Sequence, residues 1–380
     1  MHHVGSLLKL VLICVVSCVL ACKREDPPAA PPAAPTPAPA VPTPTQPAPP
    51  QPAAASATAV APVERGRELY ARMCAVCHGA NGEGYKADQA TALSHQDFLA
   101  SVTDQYLESA IVHGRQGTTM SAWYTGRGGP LDENDVAAMV AYLRSWQTVP
   151  ALKLDEAPVR GNIARGNAIF DKQCASCHGE QAPNVRLLNP QLLALSSPGF
   201  LRHAINKGRP PTTMLGYEET LGKRGVEDVV AYLRSLPAWS TPTEAGTSPP
   251  VLALGPVPLH PKGPEPVDFK KFPEMTSVAV VSREYLRHAR MALLDARVPS
   301  DYVAGHIAGA VSVPFYDPGP YMSGLPKDAW LVAYCGCPHA ESGTLAEKLL
   351  AAGFTKVTVL DEGLWEWKDK NHPMREGRKP

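Results

Sequence analysis

Two short stretches hold residue types and spacings that could do chemistry. One is Cys74-Ala75-Val76-Cys77-His78 and the other is Cys174-Ala175-Ser176-Cys177-His178. Two thiols one helical turn apart can each reach a vinyl group of one porphyrin, and the histidine that follows is then held under the iron. This pattern predicts two covalently bound c-type haems. Cys74, Cys77, Cys174 and Cys177 would form the thioether links, and His78 and His178 would be the proximal iron ligands. Half a zinc site and a redox dithiol are the alternatives. Zinc needs further Cys or His at ligand spacing nearby, and neither segment supplies a second cysteine pair. A third set of thiols, Cys335-Gly336-Cys337, ends an apolar run near the C-terminus.

The residues around the two haem motifs repeat as well. Arg65-Gly66-Arg67-Glu68-Leu69-Tyr70 matches Arg165-Gly166-Asn167-Ala168-Ile169-Phe170. Gly114-Arg115 through Thr118-Thr119-Met120 matches Gly208-Arg209 through Thr212-Thr213-Met214. Val140-Ala141-Tyr142-Leu143-Arg144-Ser145 matches Val230-Ala231-Tyr232-Leu233-Arg234-Ser235. The blocks keep their order while the loops between them change length, so a domain is duplicated. Apolar spacing predicts helices over 64–75, 163–175, 133–146 and 225–236, with Asp132 as an N-cap. Middle helices are expected near 102–113 and 197–206.

This layout resembles the small all-α cytochrome c fold over residues 63–147 and 160–240. In that family the opening and closing helices cross at a glycine and aromatics. Gly66, Tyr70 and Tyr142, and Gly166, Phe170 and Tyr232, stand at those places. Met120 and Met214 occupy matching loop positions and are the expected distal iron ligands, with His113 and His203 as rivals. Arg115 and Arg209 are placed to meet haem propionates or to serve as solvated surface charges. Filled axial positions imply electron transfer with redox partner proteins.

Composition limits the remainder. With 36 basic and 36 acidic residues the formal net charge is zero, so nothing electrostatic points to nucleic acid. An apolar run from Leu10 to Ala21 follows Lys9 and ends Val19-Leu20-Ala21-Cys22. It has the length of a signal-peptide core and resembles the bacterial lipoprotein signal, which implies export, lipid on Cys22 and tethering to a membrane on the periplasmic side. Fourteen of the 36 residues from Pro27 to Pro62 are proline, so 23–62 reads as an extended tether. Residues 1–22 form the expected signal peptide, 63–150 and 160–240 the two haem domains, and 241–272 a second proline-rich linker.

From 273 to 380 the texture changes to alternating strands and helices, which suggests an α/β domain with a parallel sheet covered on both faces. Strand-like runs lie at Ser277–Val281, Ala292–Leu294, Trp330–Tyr334 and Lys356–Leu360, and helical stretches near 283–290, 341–352 and 363–370. Leu294-Asp295-Ala296-Arg297, Gly305-His306-Ile307-Ala308-Gly309-Ala310, a strand ending at Cys335, and Leu360-Asp361-Glu362-Gly363 with Trp365 follow in order. This sequence of blocks resembles the rhodanese domain. The resemblance implies that Cys335 is a nucleophile able to take sulfane sulfur from a small sulfur compound. The following loop departs from the family, because it lacks the usual basic residue and carries Cys337, Pro338, His339 and Glu341. Cys337 is a candidate resolving thiol and His339 a candidate substitute cation. Arg297, Asp295 and His306 read as structural.

The chain is thus expected to be an exported, lipid-anchored dihaem electron carrier with a rhodanese-like domain handling sulfur at Cys335. The alternative is a respiratory electron carrier whose rhodanese fold is inactive and serves docking or sensing.

Overall fold

The computed structural model describes residues 62–84, 87, 90–115, 118–179, 187, 189–210, 212–236, 252–257, 259–336 and 339–380. Cys22, the signal and tether segments up to residue 61, and Cys337 lie outside the described residues.

The first helical module runs α1 (Pro62–Met73), α2 (Ala75–His78), α3 (Gln96–Ser101), α4 (Asp104–His113) and α5 (Glu133–Ser145). The second repeats this order in α6 (Ile163–Gln173), α7 (Ala175–His178), α8 (Pro190–Leu195), α9 (Pro198–Lys207) and α10 (Glu218–Ser235). Proline opens α1, where its missing N–H costs nothing, so the helix begins at the last residue of the expected tether. Asp132 caps α5 by accepting from the Asp135 N–H at 2.8 Å. The helix expected from 225 starts earlier, at Glu218, and is kinked at Gly222, whose φ is +59°.

Opening and closing helices cross in both modules, α1 on α5 and α6 on α10. The crossings depend on the repeated glycine. A Cβ at Gly66 would sit 2.1 Å from the Ala138 carbonyl oxygen, and one at Gly166 would sit 1.9 Å from that of Asp228. No side chain fits there. Aromatic pairs flank each crossing, Tyr70 with Tyr142 at 5.5 Å and Phe170 with Tyr232 at 5.4 Å between ring centroids. The repeated arginine also has one job in both copies. Arg144 donates to the Leu99 and Val102 carbonyls at 2.6 and 2.7 Å, and Arg234 to that of Leu193 at 2.6 Å. Each guanidinium meets the carbonyl end of the short third helix of its module, where cations are favoured.

The C-terminal third runs α11 (Val278–Leu286), β1 (Met291–Asp295), α12 (Pro299–Ala304), β2 (His306–Ile307), β3 (Val311–Ser312), α13 (Gly319–Met322), β4 (Trp330–Tyr334), α14 (Ala340–Ala351), β5 (Val357–Val359), α15 (Gly363–Asp369) and β6 (Met374–Arg375). Its main sheet is parallel, in the order β3-β1-β4-β5, and β2 pairs antiparallel with β6. Alternate strand residues enter different cores. Met291, Leu293, Val332 and Tyr334 pack with Val281 of α11 and Trp367 of α15. Ala292, Leu294, Leu331 and Ala333 pack with Leu345 and Leu349 of α14. Both faces are therefore covered, as a parallel sheet requires.

Two expectations are corrected. The run Ser277–Val281 is the start of a helix, not a strand. Ser277 caps it through the Val280 N–H, and Glu362 accepts from the Val278 N–H at 2.7 Å. Val278 and Val281, one turn apart, are the residues buried, so tertiary packing overrides the strand preference of β-branched side chains. The supposed linker also does more than connect. Leu259 pairs with Met291, and the Phe272 N–H donates to the Val357 carbonyl at 2.9 Å. Its second half thus pairs with β1 and with the edge strand β5.

The first module and the C-terminal third share one apolar core. Trp123, 7% exposed, lies 6.4 Å from the ring of Phe315 and 5.7 Å from that of Tyr316. It stands in the stretch between Met120 and α5, which is longer than its counterpart between Met214 and α10. Burial of such a side chain predicts a loss of about 3–5 kcal/mol on Trp123→Ala. Urea denaturation followed by far-ultraviolet circular dichroism is expected to show this as a lower midpoint.

Candidate functional site

The two Cys-x-x-Cys-His motifs are built alike. In each, the opening helix ends at the first cysteine, and a single four-residue turn carries the second cysteine and the histidine. The His78 and His178 N–H groups donate to the carbonyls of Cys74 and Cys174 at 2.9 and 2.8 Å. Desolvation pushes the Cys74 thiol up to about 12 and the Cys174 thiol up to about 11, the latter with help from Cys177. Thiol–disulfide exchange needs thiolate near neutral pH, so these first cysteines do not suit a redox dithiol.

The ring of His78 is already oriented. Its Nδ1 lies 2.8 Å from the Thr91 carbonyl oxygen. A carbonyl can only accept, so Nδ1 carries the proton and Nε2 keeps its lone pair. A hydrogen bond to the ring nitrogen that does not ligate fixes the tautomer of a ligating histidine. Desolvation lowers the pKa of His78, with the Thr91 bond opposing it, and the neutral form is the one that ligates.

Met120 and Met214 end loops of the same construction. Gly114 and Gly208 close the preceding helices with φ of +63° and +69°. A Cβ on either would strike the methionine carbonyl oxygen, at 2.4 Å from Met120 and 2.3 Å from Met214. The Arg115 and Arg209 N–H groups donate to those same carbonyls at 2.8 Å. Thr118 and Thr212 hydroxyls accept from the Met120 and Met214 N–H groups at 3.2 Å. Both methionines are half-buried.

The arginines supply a test of fit. Arg115 lies over the Tyr106 ring at 4.9 Å and Arg209 over the Phe200 ring at 5.2 Å. Each keeps one buried guanidinium nitrogen, Nη1 of Arg115 and Nη2 of Arg209, with no acceptor among the described residues. A buried charged donor without a partner is costly, and a propionate is the acceptor a haem would bring. The residues therefore fit the group. His113 and His203 are less suited to ligation. His203 Nε2 is held by Asp97 at 2.6 Å, and His113 ends α4 on the helix side of the loop.

Cys335 sits at the end of β4, fully buried, with Sγ 3.4 Å from the Ser342 hydroxyl. Glu341 and Ser342 open α14 beside it. Burial, then Cys335 and then Asp301 raise the Glu341 carboxyl well above its ordinary range, against Arg297. Asp301 is raised by burial, against Arg297 and Ser121. Arg297 is committed to Asp295 through two bonds at 2.9 and 2.5 Å, and to the Gly305 carbonyl at 2.6 Å. His306 bridges the Tyr302 and Lys379 carbonyls. All three are structural, in keeping with the sequence reading. His339 takes φ +69° and its Nε2 is held by Asp361, at 3.0 Å from the carboxylate. It is turned to α15 and away from the part of a free cation.

A cavity of about 200 Å³ opens over Gly336. The C-terminal third lines it with Arg297, Asp301, Glu341, Trp365 and Lys368, and the first module with Thr118 and Thr119. Lys368 lines this space and, among the described residues, no carboxylate pairs with it. The Met120 loop thus caps the Cys335 loop. The Ser121 hydroxyl donates to Asp301 at 2.5 Å, and α14 packs on the haem-motif turn α2. Nothing in the sequence motifs signals this contact. The only trace is Trp123 in the extra loop of the first repeat.

Comparisons with known proteins agree with these halves. The family profile for cytochrome c matches residues 63–147, that for cbb3-type cytochrome c oxidase subunit III matches 161–233, and that for the rhodanese-like domain matches 282–370. A cbb3-type cytochrome c oxidase subunit CcoP of Azospirillum sp. (strain B510) is 29% identical over 31% of this chain and 39% of its own length. A subunit FixP of Bradyrhizobium diazoefficiens is 28% identical over 45% of this chain and 60% of its own. The chain thus spans less than two thirds of these curated relatives. A solved rhodanese-like domain from Anabaena sp. is 28% identical over 27% of this chain and 78% of its own, with a TM-score of 0.25.

The raised Glu341 pKa makes stability depend on pH. The folded chain binds this proton more tightly than the unfolded chain, where glutamate titrates near 4.5. The contribution is full below that value and is lost as pH rises towards the folded pKa. The urea midpoint of the parent is therefore expected to fall as pH rises above 4.5, and Glu341→Gln to flatten that slope. The chain joins cytochrome c sequence, which implies covalently bound c-type haem, to a C-terminal rhodanese-like domain.

Proposed function

We propose that this protein is an exported, lipid-anchored electron carrier with two c-type haems, and that its rhodanese-like domain handles sulfane sulfur at Cys335 within reach of the first haem site. The observation that carries this reading is the Met120 loop seated on the Cys335 loop, with Thr118, Thr119 and Gly336 lining one cavity. Cys74, Cys77, His78 and Met120 would hold one haem, and Cys174, Cys177, His178 and Met214 the other. When bound, such a group supplies one-electron exchange, and the thioether ligand favours the ferrous state.

The chain's own residues supply the sulfur chemistry. The Cys335 thiolate attacks the outer sulfur of a donor such as thiosulfate. The S–S bond of the donor breaks, sulfite leaves, and a persulfide remains on Cys335. The N-terminus of α14 and the Ser342 hydroxyl face that sulfur and favour its anionic form. Lys368 draws the anionic donor to the cavity, and the neutral Glu341 does not repel it. Cys337 is placed in sequence to resolve the persulfide. Lipid on Cys22 and export on the periplasmic side remain part of the proposal on sequence grounds.

A second reading has one observation in its favour. Cys335 is fully buried, which suits a respiratory electron carrier whose rhodanese fold serves docking. Intact mass after incubation with thiosulfate separates the two. The parent is expected to gain one sulfur atom that cyanide removes, and Cys335→Ser to gain none. No gain in the parent would leave the docking reading. Haem content is checked alongside. Cys74→Ser with Cys77→Ser is expected to halve haem bound per chain, and an unchanged value would contradict two sites.

A further inference from the structure

The two helical modules meet across a local two-fold arrangement. From α3 to the methionine loop, residues of the second module stand 94 positions after their partners in the first, so that Asp97 matches Gln191, Tyr106 matches Phe200 and Arg115 matches Arg209. The Tyr106 and Phe200 rings pack against each other at 5.6 Å. Each ring carries the arginine of its own module on its other side. Across the interface, the α3 residue of the first module reaches the arginine loop of the second, and the α8 residue of the second reaches that of the first. Asp97 accepts from Arg209 Nη1 and lies 2.6 Å from His203 Nε2. Gln191, fully buried, donates to the Gly114 carbonyl at 2.8 Å.

The symmetry is broken in charge. One partner is a carboxylate and the other a neutral amide. Arg209 is therefore offset by Asp97, while no carboxylate pairs with Arg115 among the described residues. Burial magnifies the difference, because screening by water is weak there. Both arginines keep the unpartnered nitrogen that suits a propionate. A haem beside an uncompensated guanidinium gains in the ferrous state, which carries one positive charge fewer. A haem beside a compensated pair gains less. Net charge around a redox centre is one of the levers on its potential.

We infer that Asp97 places the second haem site at the lower potential, so that the first electron the protein accepts rests at the first site, the one against the rhodanese-like domain. This rests on the two-haem reading proposed above. The role of Asp97 is that of a positioning residue, because it acts through Arg209 and belongs to the other module. It also gives the interface a purpose beyond packing. Electrons released at, or bound for, Cys335 meet the site that holds them best.

The test is a potentiometric titration of the holoprotein, followed by the reduced-haem absorbance, for the parent, Asp97→Asn and Gln191→Glu. The parent is expected to show two steps. Asp97→Asn is expected to raise the lower step and leave the upper one in place. Gln191→Glu is expected to lower the upper step alone, and it carries the test by itself if Asp97→Asn opens the interface. Two resolved steps that neither variant moves in this way would overturn the inference while leaving two haems standing. A single step from a chain holding two haems would overturn it as well. A chain holding one haem would overturn the two-haem reading, and the inference with it.

Discussion

The arrangement depends on one contact, the seat of the first module's extra loop on the α/β third. Trp123 enters the core beside Phe315 and Tyr316, and the Ser121 hydroxyl reaches the buried Asp301. Apolar burial supplies most of the attraction at such a contact, and the polar bond fixes its register. Because the loop begins at Met120, seating it also sets a candidate iron ligand against the mouth of the Cys335 cavity. One loop therefore serves both the packing and the placement of the candidate site.

A buried acid cluster lies beneath this contact. Glu341 adds an acid to a loop that lacks the usual basic residue of the rhodanese pattern, and Asp301 and the Asp295–Arg297 pair lie nearby. Left charged, these carboxylates would repel both a thiolate and an anionic donor. Burial raises Glu341 and Asp301 and so favours their neutral forms. With both acids neutral the loop no longer repels an anion, and Lys368 of α15 lines the same cavity.

Much of this was legible in the sequence, and the missing parts share a cause. The paired Cys-x-x-Cys-His turns, helix crossing at Gly66 and Gly166, and the Asp132 cap are local or repeated, so spacing alone exposes them. The alternating strands at Met291–Asp295 and Trp330–Tyr334 are legible for the same reason. The stretch at Ser277 misleads because its valines favour a strand, while burial of Val278 and Val281 on one helical face is set by distant partners. Asp97 and Gln191 are invisible for a related reason, and Trp123 shows only as part of the first repeat's longer loop. Each acts across an interface between modules, and neither period nor motif encodes which surface meets which. His339 looked available as a cation because nothing local shows that Asp361, on another element, holds it.

The central claim is that sulfur handled at Cys335 and electrons held at the first haem site belong to one device. The most direct measurement adds thiosulfate or polysulfide to the oxidised holoprotein under anaerobic conditions and follows the reduced-haem absorbance, with Cys335→Ser in parallel. The account predicts reduction in the parent and none in the variant, because joining the Cys335 persulfide to a second sulfur anion through a new S–S bond would release two electrons, one to each oxidised haem. Equal behaviour of the two proteins would contradict it and would leave an electron carrier with a rhodanese fold that takes no part in its redox chemistry.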